Sequence, residues 1–109
     1  MVTYRSLADL EDAHDEESTA VRRRLEDAEE HLAYYRSQID RLEESAYQAV
    51  AYHGAADDPE FRSELQRFRD RNEQAVHEAD RVIARHQEEY EELRMQHAKE
   101  RERFIEEHR

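Results

Sequence analysis

The sequence contains no cysteine and no tryptophan, and its 109 residues include one glycine and one proline. Without cysteine the chain cannot form disulfide bonds, thiolate metal sites or a cysteine nucleophile. One glycine and one proline supply too little turn chemistry for a protein built from many short strands. These absences favour an all-α fold, and the length predicts a single domain over residues 1–109.

Charged residues make up 42% of the chain, hydrophobic residues only 37%, and the formal net charge is −12. A narrow apolar stripe on long helices needs fewer apolar residues than a broad globular core. The negative charge repels phosphate backbones, so we expect no nucleic-acid partner. No stretch approaches the roughly 20 apolar residues of a membrane span, and the N-terminus lacks the apolar region of a Sec signal. We therefore expect no membrane span and a cytoplasmic location.

Capping residues predict where the first helix begins and ends. Ser6 has the form of an N-cap with Asp9 at the third helical position, so the first helix is expected to span residues 7–52. Gly54 provides the left-handed residue that commonly closes a helix C-terminus. The turn is therefore expected at residues 53–58.

A second helix is predicted directly after the turn. Asp58 is placed as its N-cap, Pro59 as its first helical residue, and Glu60 as an acid facing the positive end of the helix dipole. No further glycine or proline follows, so this helix is expected to span residues 59–107. The predicted fold is an antiparallel two-helix hairpin that resembles a coiled coil.

Both predicted helices carry apolar residues at alternating steps of three and four, which is a heptad pattern. On the first helix the stripe contains Val21, Leu25, Ala28, Leu32, Tyr35, Ile39, Leu42, Ala46 and Ala49. On the second it contains Phe61, Leu65, Phe68, Asn72, Ala75, Ala79, Val82, His86, Tyr90, Leu93, His97, Glu100 and Phe104. Folding at the turn opposes Ile39 with Ala75, and the other layers follow in register. In each stripe one step of four directly follows another, with the second step at Val21–Leu25 on the first helix and at His86–Tyr90 on the second. The two breaks in the pattern lie at nearly the same height, which favours pairing within one chain.

The stripe becomes polar at the end remote from the turn. The register places His14 opposite Glu100 and Glu17 opposite His97. Two histidines and two carboxylates are a possible metal-ligand set, and a metal-binding helical bundle is one alternative function. Helical carboxylate sites normally use Glu-x-x-His, however, whereas here the order is His-x-x-Glu twice. We therefore predict a salt-bridged end with no bound metal.

Asn72 is a second polar position in the stripe, opposite Leu42. One interpretation is a residue that fixes the register at some cost in stability. The other is that Asn72 faces a partner helix. Neither interpretation involves catalysis. The chain has no glycine-rich phosphate loop and no recognisable nucleophile with its base, so we expect no enzymatic activity and no cofactor.

Several apolar residues lie outside the stripe, and they are the candidates for contact with a partner. Tyr34 and Tyr47 belong to the first helix, and Met95 and Ile105 lie along another face of the second. Such residues are either scattered surface positions or a second stripe that docks on other helices. We predict the second, because a two-helix chain leaves most of its surface uncovered.

The turn carries Tyr52-His53-Gly54, an aromatic-x-Gly sequence between two helices of similar length. In this respect the chain resembles the WXG family of small helical hairpins exported by type VII secretion systems, with Tyr52 where that family has tryptophan. By this resemblance Tyr52 and Gly54 shape the turn. The family's C-terminal export signal, an aromatic residue followed four residues later by an acid, is imperfect here because Phe104 is followed by His108.

The charged second helix is more similar to the small accessory proteins encoded beside LXG polymorphic toxins of interbacterial competition. The resemblance implies a targeting factor or chaperone that binds the helical N-terminal LXG domain of a toxin, together with a second small helical accessory protein in some complexes. It also implies that the chain either stays in the cytoplasm or leaves with its partner through the type VII system. The rival function is structural, a homodimeric four-helix bundle or coiled-coil spacer.

Overall fold

The computed structural model describes residues 4–109 and contains two helices in this range, with no strand. Helix α1 spans Leu7–Tyr52 and helix α2 spans Pro59–Glu107. These bounds coincide with those that the capping residues predict. The predicted all-α helical hairpin is confirmed.

Ser6 caps the N-terminus of α1. The backbone N–H of Asp9 donates to Ser6 Oγ at 3.1 Å, and the N–H of Leu10 donates to the Ser6 carbonyl at 3.2 Å. The side-chain bond satisfies one of the backbone donors that the first helical turn leaves without an intrahelical acceptor. The start of α1 is therefore fixed by local sequence.

Gly54 ends α1 in a left-handed conformation with φ of 72°. The N–H of Gly54 donates to the carbonyl of Ala51 at 3.0 Å, and the N–H of Ala55 donates to the carbonyl of Val50 at 3.0 Å. This pair of bonds is the Schellman motif, which satisfies the last carbonyls of a helix. Among residues 4–109 no other residue has a positive φ, so the reversal of the chain is concentrated at this glycine.

Asp58 caps the N-terminus of α2. The N–H of Glu60 donates to Asp58 Oδ1 at 2.9 Å, and the N–H of Arg62 donates to the Asp58 carbonyl at 3.0 Å. Pro59 occupies the first helical position, where its missing N–H removes no helical bond. The two caps and the Schellman motif together account for both limits of α1 and for the start of α2.

The chain groups into two compact units. The terminal unit consists of the described residues up to Ala28 together with Ile83–Arg109, and the turn unit consists of Glu29–Val82. Each unit contains a piece of both helices. Within the described chain the buried hydrophobic side chains are Leu10 in the terminal unit and Leu32 in the turn unit. The core is therefore small in both units.

The face that α2 turns inward differs in part from the predicted stripe. Val76 and Ile83 are half-buried, whereas Ala75 and Val82 are exposed. The doubled step of four on α2 consequently falls at Phe68–Asn72–Val76, and the prediction that it falls at His86–Tyr90 is wrong. The physical reason is size, because covering Val76 and Ile83 removes more apolar surface from water than covering an alanine and a valine.

Candidate partner-binding site

An open apolar groove of about 300 Å³ lies between the two helices in the turn unit. We call it the turn groove. Its lining comes from both helices and consists of Leu42, Glu43 and Ala46 on α1 and Phe61, Glu64, Leu65 and Phe68 on α2. All five apolar residues of this lining belong to the predicted stripes.

Near the turn the predicted stripe is open to solvent. Leu42 is 58% exposed, and Ala46 and Ala49 are exposed as well. Near the turn, the α1 stripe consists largely of alanines, whose side chains reach only a short distance towards the aromatic rings of Phe61 and Phe68 on α2. Two helices alone cannot cover such a layer on every side, so apolar surface stays in contact with water.

The charged residues that line the turn groove are both acidic, and each has an arginine beside it. Arg69 Nε lies 3.4 Å from Glu43 Oε2, and Arg67 Nη1 lies 2.6 Å from Glu64 Oε1. Both arginine side chains are more than half exposed, so these pairs contribute little to stability. The charged part of the lining therefore consists of two acid–arginine pairs.

Asn72 is engaged within the hairpin. Its side-chain amide donates to the Phe68 carbonyl at 2.9 Å, and its Oδ1 accepts a hydrogen bond of 2.7 Å from the Tyr35 hydroxyl. These contacts support the interpretation of Asn72 as a residue that fixes the register rather than one that faces a partner. The sequence pattern does not predict the bond to Tyr35, because the register places Tyr35 opposite Ala79.

The structure places the four predicted partner-binding residues in different units. Tyr34 and Tyr47 lie in the turn unit, and both are exposed. Met95 and Ile105 lie in the terminal unit, where Met95 is 61% exposed and Ile105 is half-buried. The tyrosines and Met95 therefore present apolar surface that a partner can cover.

Tyr52 is 88% exposed, and its ring makes an edge-to-face contact with the neighbouring His53 at a centroid distance of 5.4 Å. The turn itself is closed by the backbone bonds around Gly54. At the other end of α2, His108 stacks on Phe104 at 3.9 Å, and its Nδ1 lies 2.8 Å from the Phe104 carbonyl. The histidine that departs from the export signal thus closes the end of α2.

His14 and His97 form a stacked pair in the terminal unit, which we call the histidine layer. Their ring centroids lie 3.8 Å apart with an angle of 7° between the planes, and each residue is 9% exposed. His14 Nε2 lies 2.9 Å from Glu100 Oε2, and His97 Nε2 lies 3.2 Å from Glu17 Oε2. The two cross-helix pairs predicted from the register are therefore present.

The geometry of the histidine layer argues against a shared metal ion. Ring nitrogens that bind one ion must point at a common position about 2 Å from each. The planes of His14 and His97 are nearly parallel and face each other, so their nitrogen lone pairs lie in separate planes. Among residues 4–109 no three histidine or acidic side chains are arranged to hold a metal ion.

The heptad pattern does not predict two contacts at the histidine layer. Ser18 Oγ lies 3.3 Å from His97 Nδ1, and Arg101 Nε donates to Glu11 Oε1 at 2.9 Å on the adjoining surface. A pattern of positions shows which residues share a level but not how their rings orient. The stacking therefore has no signal in the sequence beyond the presence of two histidines at neighbouring levels.

Within residues 4–109 neither helix has a segment that is both long and apolar enough to cross a bilayer. No family model, no curated protein and no solved structure matches the chain.

Proposed function

We propose that this chain is a non-enzymatic partner-binding protein whose partner is the helical N-terminal LXG domain of a toxin exported by a type VII system. The observation that supports partner binding is the exposure of large apolar and aromatic side chains on both helices, with Met95 and Leu42 each more than half exposed. The identity of the partner rests on two resemblances, that of Tyr52-His53-Gly54 to the turn of the WXG family and that of the charged second helix to the accessory proteins of LXG toxins.

The small core strengthens the case for a partner. Leu10 and Leu32 are the buried hydrophobic residues of the described chain, and the pair of helices gains limited stabilisation from so little burial. A second helical protein that covers Tyr34, Tyr47 and Met95 would remove further apolar surface from water. Binding and stabilisation would then have the same physical origin.

The test is co-purification of the chain with the N-terminal domain of an LXG toxin encoded beside it. We expect a stable complex, and we expect the double variant Met95→Glu with Ile105→Glu to weaken it by about a hundredfold or more, because two charges enter an apolar contact. Circular dichroism should show unchanged helicity. The matched control is Gln96→Glu with Lys99→Gln, which changes the net charge by the same amount at exposed polar positions of α2.

Two results would contradict the proposal. Full binding by the Met95 and Ile105 variant would remove this face of α2 from the interface. Sedimentation of the isolated chain as a tight dimer, with no capture of the toxin domain, would favour the structural four-helix bundle instead.

A further inference from the structure

We propose that the turn groove binds one helix of the partner, and that this helix is amphipathic with basic residues beside its apolar stripe. The inference rests on the proposed function in one respect, namely that the chain binds a helical partner. It adds the place of docking and the chemistry of the docked segment.

The apolar part of the groove fits the side-chain ridge of a third helix. Leu42 and Ala46 border it on α1, and Phe61, Leu65 and Phe68 border it on α2. Side chains of one helix pack into the furrow between two others in the same way in helical bundles. Phe61 and Phe68 are one heptad apart, which is about 10 Å of helix, so a matching helix needs apolar residues at positions i, i+3 or i+4, and i+7.

The net charge of the turn unit favours an amphipathic helix with basic residues beside its apolar stripe. The turn unit, Glu29–Val82, contains thirteen acidic residues and seven arginines, so it carries a net charge of −6. The two charged residues in the groove lining, Glu43 and Glu64, are each paired with an arginine, so the negative potential around the groove comes from the excess of acids over the whole turn unit. Lysine or arginine on either side of an apolar stripe would meet this negative potential, whereas glutamate there would be repelled.

The same charge disfavours a second copy of the chain as the occupant. Each copy carries −12, and docking one turn unit on another would bring two units with a net charge of −6 each together. Like charges brought close across an interface are a common means of rejecting a wrong partner. The turn groove is therefore better suited to a chain of opposite charge.

The experiment uses the full chain and a pair of synthetic helical peptides. Both peptides have leucine at i, i+3, i+4 and i+7, and they differ only in having lysine or glutamate beside this stripe. Fluorescence anisotropy measures binding to the wild-type chain and to Leu42→Glu, Ala46→Trp and Ser37→Glu. Leu42→Glu places a charge on the groove, Ala46→Trp fills it, and Ser37→Glu adds the same charge to α1 at an exposed position outside the lining.

We expect the basic peptide to bind the wild-type chain about tenfold or more tightly than its acidic counterpart. Leu42→Glu and Ala46→Trp should each weaken this binding by about tenfold or more, whereas Ser37→Glu should leave it unchanged. Equal binding of the two peptides would overturn the charge argument. Undiminished binding of the basic peptide by both groove variants would overturn the site. The site would also be overturned if the wild-type chain self-associates and Leu42→Glu converts it to a monomer, because the groove would then bind a second copy.

The same variants separate this inference from the proposed function. If Leu42→Glu and Ala46→Trp capture the toxin domain as well as the wild-type chain does, the toxin partner stands and the groove is excluded as its contact. If the basic peptide binds through the groove and the toxin domain is not captured, the groove stands as a helix-binding site and the toxin partner is wrong.

Discussion

The histidine layer shows how two polar side chains can occupy a nearly closed position between helices. His14 and His97 cover each other's ring faces, and their Nε2 atoms reach Glu100 and Glu17 at the surface. The side chains of these glutamates are 53% and 59% exposed, so water solvates them with or without the imidazoles. Packing of the rings should therefore matter more to stability than the two hydrogen bonds.

Two substitutions of His97 should therefore differ in their effect on stability. His97→Ala removes a buried ring and should lower the free energy of unfolding by about 1 to 2 kcal/mol. His97→Phe keeps a ring against His14 and should change it by no more than about 0.5 kcal/mol. Urea denaturation followed by circular dichroism measures both, and His31→Ala, at an exposed position of α1, is the control. A loss as large for phenylalanine as for alanine would show that the hydrogen bonds dominate.

The histidine layer also shows how far sequence reasoning reaches. The levels of His14, Glu17, His97 and Glu100 follow from heptad counting from the turn, because a helix has a fixed rise per residue. The stacking of the rings does not follow, because rotamers depend on what surrounds them. The open turn groove is unpredictable from sequence for a similar reason. Periodicity indicates which face of a helix is apolar but not how completely a neighbouring helix covers that face.

Both ends of helix α1 and the start of helix α2 lie where short sequence signals predict. Ser6, Gly54 and Asp58 act through hydrogen bonds to residues within five positions of themselves, so no knowledge of the fold is needed to place them. The inward face of α2 is less predictable from sequence. Val76 and Ile83 each have an apolar neighbour one residue earlier, and only the packing of the unit decides which of the two is covered.

The end of α1 provides a test of this local control. A methyl group added at Gly54 would meet no atom within 4 Å, so any cost of Gly54→Ala comes from the left-handed backbone alone. We expect a loss of about 1 to 2 kcal/mol in the free energy of unfolding. Gly54→Asn should lose less, because asparagine tolerates this conformation better. Urea midpoints compare the three chains, and an unchanged midpoint for the alanine variant would show that the turn rearranges freely.

At the scale of the whole molecule, the net negative charge affects the stability of the folded chain. The excess of acids amounts to −12 over 109 residues, and most of the ion pairs join exposed side chains, such as Arg36 with Asp80 and Arg62 with Asp57. Exposed pairs contribute little, whereas the surplus of like charge opposes compaction. Repulsion should therefore outweigh these attractions in water of low ionic strength.

Added salt should accordingly stabilise the chain. Raising sodium chloride from about 10 mM to about 150 mM shortens the screening length from about 30 Å to about 8 Å and should raise the Tm. The triple variant Asp15→Asn, Glu91→Gln and Glu102→Gln removes three negative charges at exposed positions and should respond less to salt. A Tm that falls with salt would indicate that the ion pairs contribute more than the repulsion.

The antiparallel course of α1 and α2 constrains how this sequence can change in length during evolution. A seven-residue insertion in one helix preserves the inward face of that helix, but it moves every level beyond the insertion relative to the opposite helix. His14 and Glu17 would then no longer meet Glu100 and His97 unless α2 gained seven residues at the matching height. Homologues of different length should therefore differ by insertions or deletions that occur in matched pairs, one in each helix.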